Sequence, residues 1–414
     1  MLVNKRDGRK VPFEKDKIAQ AVLKAFEEVD GEITPDARRK ASDIASSIEG
    51  LNRDLDVEEI QDLVEDKLMA SKRKDVARTY IIYRNKRSLD RERNSKFMKI
   101  VGQKLMASDV QNQNANVDEH SFGGRKGEAN SELMRKYALD YIMSDLARER
   151  HLNNEIYTHD LDSYAVGQHN CLTIPFDKLL VNGFNTRQTD VRPAQSINTA
   201  FQLVAVIFQI QSLQQFGGVS AGHLDWTMVP YVRKSFRKHY LDGLRYIENI
   251  FDKELFDHIP ENAGIEDAEY LIYDKAYKYA YDMTVKETYQ AVQGLLHNLN
   301  TLQSRSGNQL PFSSVNYGTC TLPEGRLVTK ALLDCLIEGV GKLHKTAIFP
   351  CGIFQCAKGI NRKPGDPNYD LFQLALKSTA KRLYPNYANV DWSGNEGYDK
   401  NDPKTYFSTM GKHT

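Results

Sequence analysis

The sequence lacks a CxxC pair. Its five cysteines, Cys171, Cys320, Cys335, Cys351 and Cys356, are scattered, and an odd number in a 414-residue chain argues against a disulfide framework. No metal site is read from them, and the C-x4-C spacing of Cys351 and Cys356 reads as buried, inert thiols. The sequence also lacks an excess of either charge. Lys and Arg number 56 against 55 Asp and Glu, so no net field gathers nucleic acid or an anionic membrane. The N-terminus has no apolar signal-peptide core, which predicts a cytoplasmic protein. Internal repeats and low-complexity segments are missing too.

Charge is locally absent in one place. Ala194 to His223 holds no Asp, Glu, Lys or Arg, and its centre, Ile197–Phe216, is apolar enough to suggest a membrane span. Gln195, Gln202, Gln209, Gln211, Gln214 and Gln215 would need partners in lipid, so the stretch reads instead as a helix of a water-soluble fold, buried on most sides. Gln195, Gln202 and Gln209 recur every seventh residue and share one stripe. That stripe faces a partner subunit, faces a polar ligand, or is hydrogen-bonded within the core.

What is present falls into two textures. Leu2-Val3 and Val11–Phe13 flank Asp7-Gly8 and predict a hairpin. Ile18, Ala21, Val22, Ala25, Phe26 and Val29 form one helical face. Asp56 with Glu59 has the spacing of a capping box ahead of Ile60, Leu63, Val64 and Leu68, and Val76, Ala77, Tyr80 and Ile81 suit another helix. This predicts a domain over 1–92. The charge-dense residues 86–96 read as its end and the start of a linker over 93–110. From 111 to 414, helical patterns (131–150, 197–216, 229–256, 270–296, 328–345, 370–383) alternate with loops rich in Asn, Gly, Pro and Ser, favouring an α/β domain.

Two constellations carry chemistry. The first is Val3-x-Lys5-Arg6-Asp7-Gly8, then Val11-Pro12-Phe13 and Lys17-Ile18. Two cations on a hairpin and a third at a helix start can converge on a polyphosphate, aided by the helix N-terminus. A basic turn alone is usually only a solvated turn. The whole arrangement, with Val57–Gln61 and Val76-Ala77-Arg78-x-Tyr80-x-x-Tyr83-Arg84, resembles the ATP-cone, a regulatory module. The resemblance implies that Lys5, Arg6 and Lys17 contact phosphates. It implies that Val3, Phe13 and Ile18 shape the pocket with Gln61 and Arg84 nearby, and that ATP and dATP bind the same site with opposite effects.

The second constellation is a series of polar motifs. Asn112–Glu119 and Phe122–Arg125 come first, then Tyr157-Thr158-His159-Asp160-Leu161-Asp162 and His169-Asn170-Cys171. Phe216–Ser220, His297–Thr301, Ser304–Gln309, Ile348-Phe349-Pro350, Ile353-Phe354-Gln355 and Tyr406–Gly411 follow. Locally, a Cys beside His and Asn suits a structural role as well as a catalytic one. In this order the motifs resemble the catalytic subunit of the anaerobic (class III) ribonucleoside-triphosphate reductases, over residues 110–411. The resemblance implies a ten-stranded α/β barrel of the glycyl-radical enzyme type, here incomplete, behind a small helical cone with a hairpin lid. It implies a homodimer, with the 195–215 helix near the specificity-effector site. It implies ribonucleoside triphosphates as substrates, a radical-SAM activating enzyme as partner and formate as reductant. Cys171 matches the cysteine that supplies hydrogen toward the ribose 2′ carbon, with His159, Asn170 and Ser220 beside it.

The chain departs from the family at its end. The family's Met-Gly-Cys finger loop stands here as Met410-Gly411-Lys412, and a lysine forms no thiyl radical. The family's later strands, its zinc-binding Cys pairs and its glycyl-radical loop are not in the sequence. The expectation is an intervening sequence or frameshift at Gly411, or a decayed gene, and a chain inactive by itself. The alternatives are a catalytically silent nucleotide-binding fragment, and another glycyl-radical enzyme such as a formate-lyase relative, which would not normally carry a cone.

Overall fold

A computed structural model describes residues 1–6, 8–93, 96–106, 120–167, 170–215, 217–305, 308–391 and 397–409. It divides into two units, Met1–Gly102 and Gln103–Thr414. The motif members Asp7, Asn112–Glu119, His169, Phe216, Ser306, Gly307 and Met410–Thr414 lie outside the described residues.

In the first unit, β1 (Leu2–Asn4) pairs antiparallel with β2 (Lys10–Pro12). Four helices follow: α1 (Lys15–Asp30), α2 (Pro35–Glu49), α3 (Val57–Ala70) after the short β3 (Leu55–Asp56), and α4 (Lys74–Arg93). β3 joins β1 in parallel, giving the order β2-β1-β3. The sequence reading did not single out α2. Its signals are Thr34 at the N-cap, whose side chain accepts the Ala37 N–H at 3.1 Å, and Pro35 in the first turn. Ala37, Ala41, Ala45 and Ile48 form its buried face. Val3, Val22, Phe26, Leu55, Val64, Leu68, Val76 and Ala77 close the core.

Two local expectations need correction. Asp56 is the N-cap of α3, but its carboxylate caps nothing there and accepts from Asn4 Nδ2 at 2.8 Å. Only half of the capping box forms, with Glu59 taking the Asp56 backbone N–H. The charged stretch 86–93 is the last two turns of α4, and α5 (Lys96–Leu105) lies inside the segment assigned to a linker. Alternating charge suits an exposed helix as well as a linker.

The second unit opens with α6 (Phe122–Tyr137), a π-helical turn at Ala138–Ile142 and α7 (Asp145–Leu152), so the helix expected over 131–150 is broken. Ser144 caps α7 by accepting the Ala147 N–H at 3.3 Å. Next come β4 (Leu172–Thr173), α8 (Phe176–Asn182), the β5–β6 hairpin (Phe184–Asn185, Asp190–Val191), α9 (Ile197–Ser212), β7 (Val219–Ala221), α10 (Leu224–Tyr246) and α11 (Lys253–His258). The chain continues through α12 (Asp274–Thr301), β8 (Ser313–Tyr317), α13 (Pro323–Glu338), β9 (Cys351–Cys356), α14 (Tyr369–Arg382) and β10 (Asn386–Asn389). Strands β4, β7, β8, β9 and β10 form one five-stranded, all-parallel sheet in the order β10-β9-β8-β7-β4. Parallel neighbours require long crossovers, and the intervening helices supply them.

The two faces of this sheet differ in chemistry. Residues paired across parallel strands share a face, and successive residues alternate. Val219, Ala221, Val315, Tyr317 and Phe354 pack into one core with Phe201, Val204 and Phe208 of α9 and Tyr231, Val232 and Phe236 of α10. The opposite face, here the inner face, carries Thr173, Ser220, Ser314, Asn316, Cys351, Ile353 and Gln355, of which Ser220, Ser314, Asn316 and Gln355 are the buried polar residues. A parallel sheet is ordinarily apolar on both sides. A buried polar row on one side is therefore the mark of a site.

Helix α9 is buried along Ile197, Ala200, Phe201, Val204 and Phe208, while Gln195 and Gln202 are exposed and Gln209 is half-buried. No helix among the described residues is long and apolar enough to cross a membrane.

Candidate functional sites

In the first unit the hairpin turn is closed by the Gly8 N–H donating to Lys5 O at 2.9 Å and the Lys5 N–H donating to Arg9 O at 2.8 Å. Arg6 leaves this turn and pairs with Glu58 of α3, and its Nη2 reaches Gln61 Oε1 at 3.4 Å. Arg84 of α4 meets the same carboxylate at 3.0 Å, with Asp62 at 2.7 Å and Glu65 at 2.8 Å. The structure thus brings Arg6, Gln61 and Arg84 together around Glu58. Arg6 holds the Glu58 carboxyl below the usual carboxylate range, with Arg84 assisting. Burial of Arg84 works against its charge, but its three carboxylate partners outweigh that and raise its pKa.

Val3 is a core residue, and Phe13 and Ile18 pack against that core. Lys17 lies in the first turn of α1 and pairs with Glu14 at 2.7 Å. Chemically this is a cationic corner whose arginines are held by carboxylates at an exposed surface. Such ion pairs are each worth about 0–1 kcal/mol, so a polyphosphate can replace them.

In the second unit Cys171 immediately precedes β4. Its thiol is half-buried, and its sulfur accepts the Gly218 N–H at 3.3 Å. Gly217 packs directly on the Asn170–Cys171 peptide. A Cβ there would collide with Cys171 N and Asn170 C and stand 2.8 Å from Asn170 Oδ1. The glycines before β7 therefore let that backbone approach the cysteine. Ser220 is fully buried and accepts from Asn316 Nδ2 at 3.1 Å. His159 is a largely exposed residue of the turn region, paired with Asp160. Asp160, Asp162 and Cys171 all act electrostatically on Arg305, whose guanidinium lies 3.9 Å from the Phe312 ring centroid. Burial lowers the Arg305 pKa against the pull of those three groups.

Further residues lie around this face: Asn316 and Asp225 stand outside the sequence motifs, whereas Gln355 and Asn300 stand within them. Asn316 is buried on β8, and Gln355 is buried on β9 with its Oε1 lacking a hydrogen-bond partner among the described residues. Asp225, fully buried at the start of α10, accepts the N–H groups of Gly318 (2.8 Å) and Cys320 (2.9 Å), and burial raises its pKa. Asn300, within a quoted motif, accepts the N–H groups of Ile348 (2.7 Å) and Phe349 (3.1 Å) and so orders the approach to β9. The signal available was a polar residue inside an apolar strand, as in Ser313-Ser314-Val315-Asn316-Tyr317.

At the C-terminal ends of β4 and β7 a cleft of about 210 Å³ is lined by Ile174, Asp177, Gly222, His223, Thr227 and Lys404, among others. Asp177 accepts from Thr227 at 2.5 Å and pairs with His223 at 2.8 Å and Lys404 at 3.7 Å. Burial pushes the Asp177 carboxyl up, but His223 and Thr227 outweigh it and bring it down to about 2. Among the described residues, no group of three His, Cys, Asp or Glu could hold a metal ion.

A cationic hairpin corner on a small helical unit and a parallel α/β sheet with a cysteine beside its polar face define a two-unit α/β protein. Comparison with known sequences sharpens this. Residues 1–89 match the ATP cone domain and residues 113–411 match the anaerobic ribonucleoside-triphosphate reductase family. The chain belongs to that reductase family.

The anaerobic ribonucleoside-triphosphate reductase of Escherichia coli K12 is 32% identical over 392 residues, covering 94% of this chain and 51% of the relative. That of bacteriophage T4 is 31% identical over 278 residues, covering 67% and 42%. A vitamin B12-dependent ribonucleoside-diphosphate reductase of Thermoplasma acidophilum is 46% identical over 95 residues, 22% of this chain and 12% of the relative. Among solved structures, the Thermotoga maritima anaerobic ribonucleotide reductase in complex with dATP and CTP aligns with a TM-score of 0.46 at 15% identity, over 72% of this chain and 48% of that one. The chain spans about half the length of the curated relatives it matches first.

Proposed function

We propose that this chain carries the effector-sensing unit and one substrate-facing sheet of a cytoplasmic enzyme that reduces ribonucleoside triphosphates to deoxyribonucleotides. The observation that carries the reading is Cys171 at the edge of a buried polar face of a parallel sheet, with its sulfur held by a backbone N–H rather than buried among aliphatic groups. In this reading Cys171 supplies hydrogen toward the ribose 2′ carbon as the hydroxyl leaves as water. Asn170 and Ser220 line the pocket, and His159 belongs to the loop beside it. The radical that starts the reaction, the zinc site and the formate oxidation belong to sequence outside this chain. An activating enzyme generates the radical, and the working enzyme is a homodimer.

At the cone, ATP and dATP compete for the corner of Lys5, Arg6, Lys17, Gln61 and Arg84. They regulate only by favouring different global states, because equal affinity for both shifts nothing.

The cone has its own core, so a second reading is favoured as well: nucleotide binding that persists without catalysis. Titration calorimetry with dATP, on the full chain and on Lys5→Ala with Lys17→Ala, tests the cone. Binding that the double variant leaves unchanged removes the cone assignment. Assay of the purified chain alone tests the division of labour: the expected result is no reduction, and turnover would show that the radical machinery is not needed from elsewhere.

A further inference from the structure

The inner face of the sheet presents two buried side-chain amides, and both bond to one stretch of backbone. Asn316 Oδ1 accepts the Thr409 N–H at 3.3 Å, and Asn316 Nδ2 lies 3.1 Å from Thr409 O. The same nitrogen is shared with Ser220 Oγ at 3.1 Å and Ala221 O at 3.0 Å. One strand away, Gln355 Nε2 donates to Phe407 O at 3.0 Å and to Gly222 O at 3.3 Å. Ser408, between these two points, packs beside Gly222.

Residues 406–409 form no strand, yet Phe407 and Thr409 bond their backbone groups to the sheet's side chains. A side-chain amide offers one donor end and one acceptor, as a peptide group does. Asn316 therefore stands in for a neighbouring strand, and a buried backbone group left unpaired would be costly.

We propose that Asn316 is a positioning residue: its amide, paired with both backbone groups of Thr409, fixes the register in which residues 406–409 cross the inner face, and Gln355 is the second point of the latch. The register matters because Asn316 sits two strands from β4, which Cys171 precedes. Asn fits the role because Leu would remove both bonds to Thr409, and ionised Asp would keep the acceptor and lose the donor. The latch's purpose rests on the reductase reading. Its existence does not, and its test needs neither substrate nor radical.

The test is amide hydrogen exchange of the full chain, corrected for intrinsic rates, on the wild type, Asn316→Ala and Asn316→Asp. In Asn316→Ala, protection at Thr409 should fall at least tenfold while Val315 and Ile353 keep theirs. Asn316→Asp should lose that protection at high pH and regain it once the introduced carboxyl is protonated and donates again, a pH dependence the wild type lacks. Wild-type protection of Thr409 in Asn316→Ala would overturn the proposal, as would loss of protection in Asn316→Asp that is equal at every pH. Failure here with intact dATP binding at the cone would leave the functional reading standing.

Discussion

The cone corner and the inner face of the sheet solve the same problem with opposite materials. At the corner, Arg6 is exposed, Arg84 is half-buried, and both are held by carboxylates. Each such pair is cheap to break, and a phosphate offers the same charge. On the sheet, Ser220, Asn316 and Gln355 are buried and neutral. Removing one partner there leaves a desolvated group unpaired, at about 1–3 kcal/mol. The first arrangement suits a site that must exchange ligands and report on them, the second a site whose geometry must not drift.

The comparison can be broken most sharply with two glycines. Gly217→Ala places a methyl group against the Asn170–Cys171 peptide, whereas an added Cβ at Gly8 meets nothing within 4 Å. The expected loss is about 3 kcal/mol or more for Gly217→Ala, from overpacking against backbone. Gly8→Ala should lose only about 1–2 kcal/mol, from the left-handed backbone at φ 81°. Denaturant midpoints for the two variants check this, and equal losses would remove the close approach at Cys171.

Next in size is the cone. Lys5→Ala with Lys17→Ala should weaken dATP binding about a hundredfold, on the scale of two charge-assisted contacts. Calorimetry reads it, and the thiol chemistry at Cys171 should not change.

Asp177→Asn should cost about 2 kcal/mol at neutral pH, because the folded carboxyl sits at about 2 against an ordinary value near 4. A depressed carboxyl stabilises above its unfolded pKa, and that stability is lost as pH falls through the folded one. The gap between variant and wild type should therefore stay constant above about pH 4 and close toward pH 2. Thermal melts across that range would expose a gap that persists.

The smallest effect should be a gain. Glu58→Gln frees Arg6 and Arg84 from a charged competitor and should tighten ATP binding by a few-fold, consistent with an exposed pair worth under about 1 kcal/mol. Weaker binding would mean that Glu58 orders the arginines for the nucleotide rather than competing for them.

The cone was legible because its signals are local. A hairpin turn, apolar faces at helical spacing and clustered cations are all read within a few residues. The run of α4 to Arg93 was missed because charge-dense residues suit an exposed helix and a linker alike. The α/β class was legible from alternating textures, but the strands are short, and β4 and β7 have only two and three residues. Asn316 was not legible as a site residue, and Gln355 stood in the Ile353-Phe354-Gln355 motif with no role assigned. Their partners Thr409 and Phe407 lie 93 and 52 positions away, a separation no periodicity reports. His159 was named from motif position, and the structure gives it an exposed place with Asp160 as its partner.

The central claim is that Cys171 stands half-buried beside the polar side of the sheet, whereas Cys320 and Cys335 are buried. Cys320 and Cys335 are buried, and burial pushes both thiols up, Cys335 to about 12. Alkylation of the native chain, read by mass spectrometry over time, compares them directly. The account predicts that Cys171 is modified well before Cys320 and Cys335, and that a ribonucleoside triphosphate slows it. Modification of Cys171 no faster than Cys320 would contradict the account.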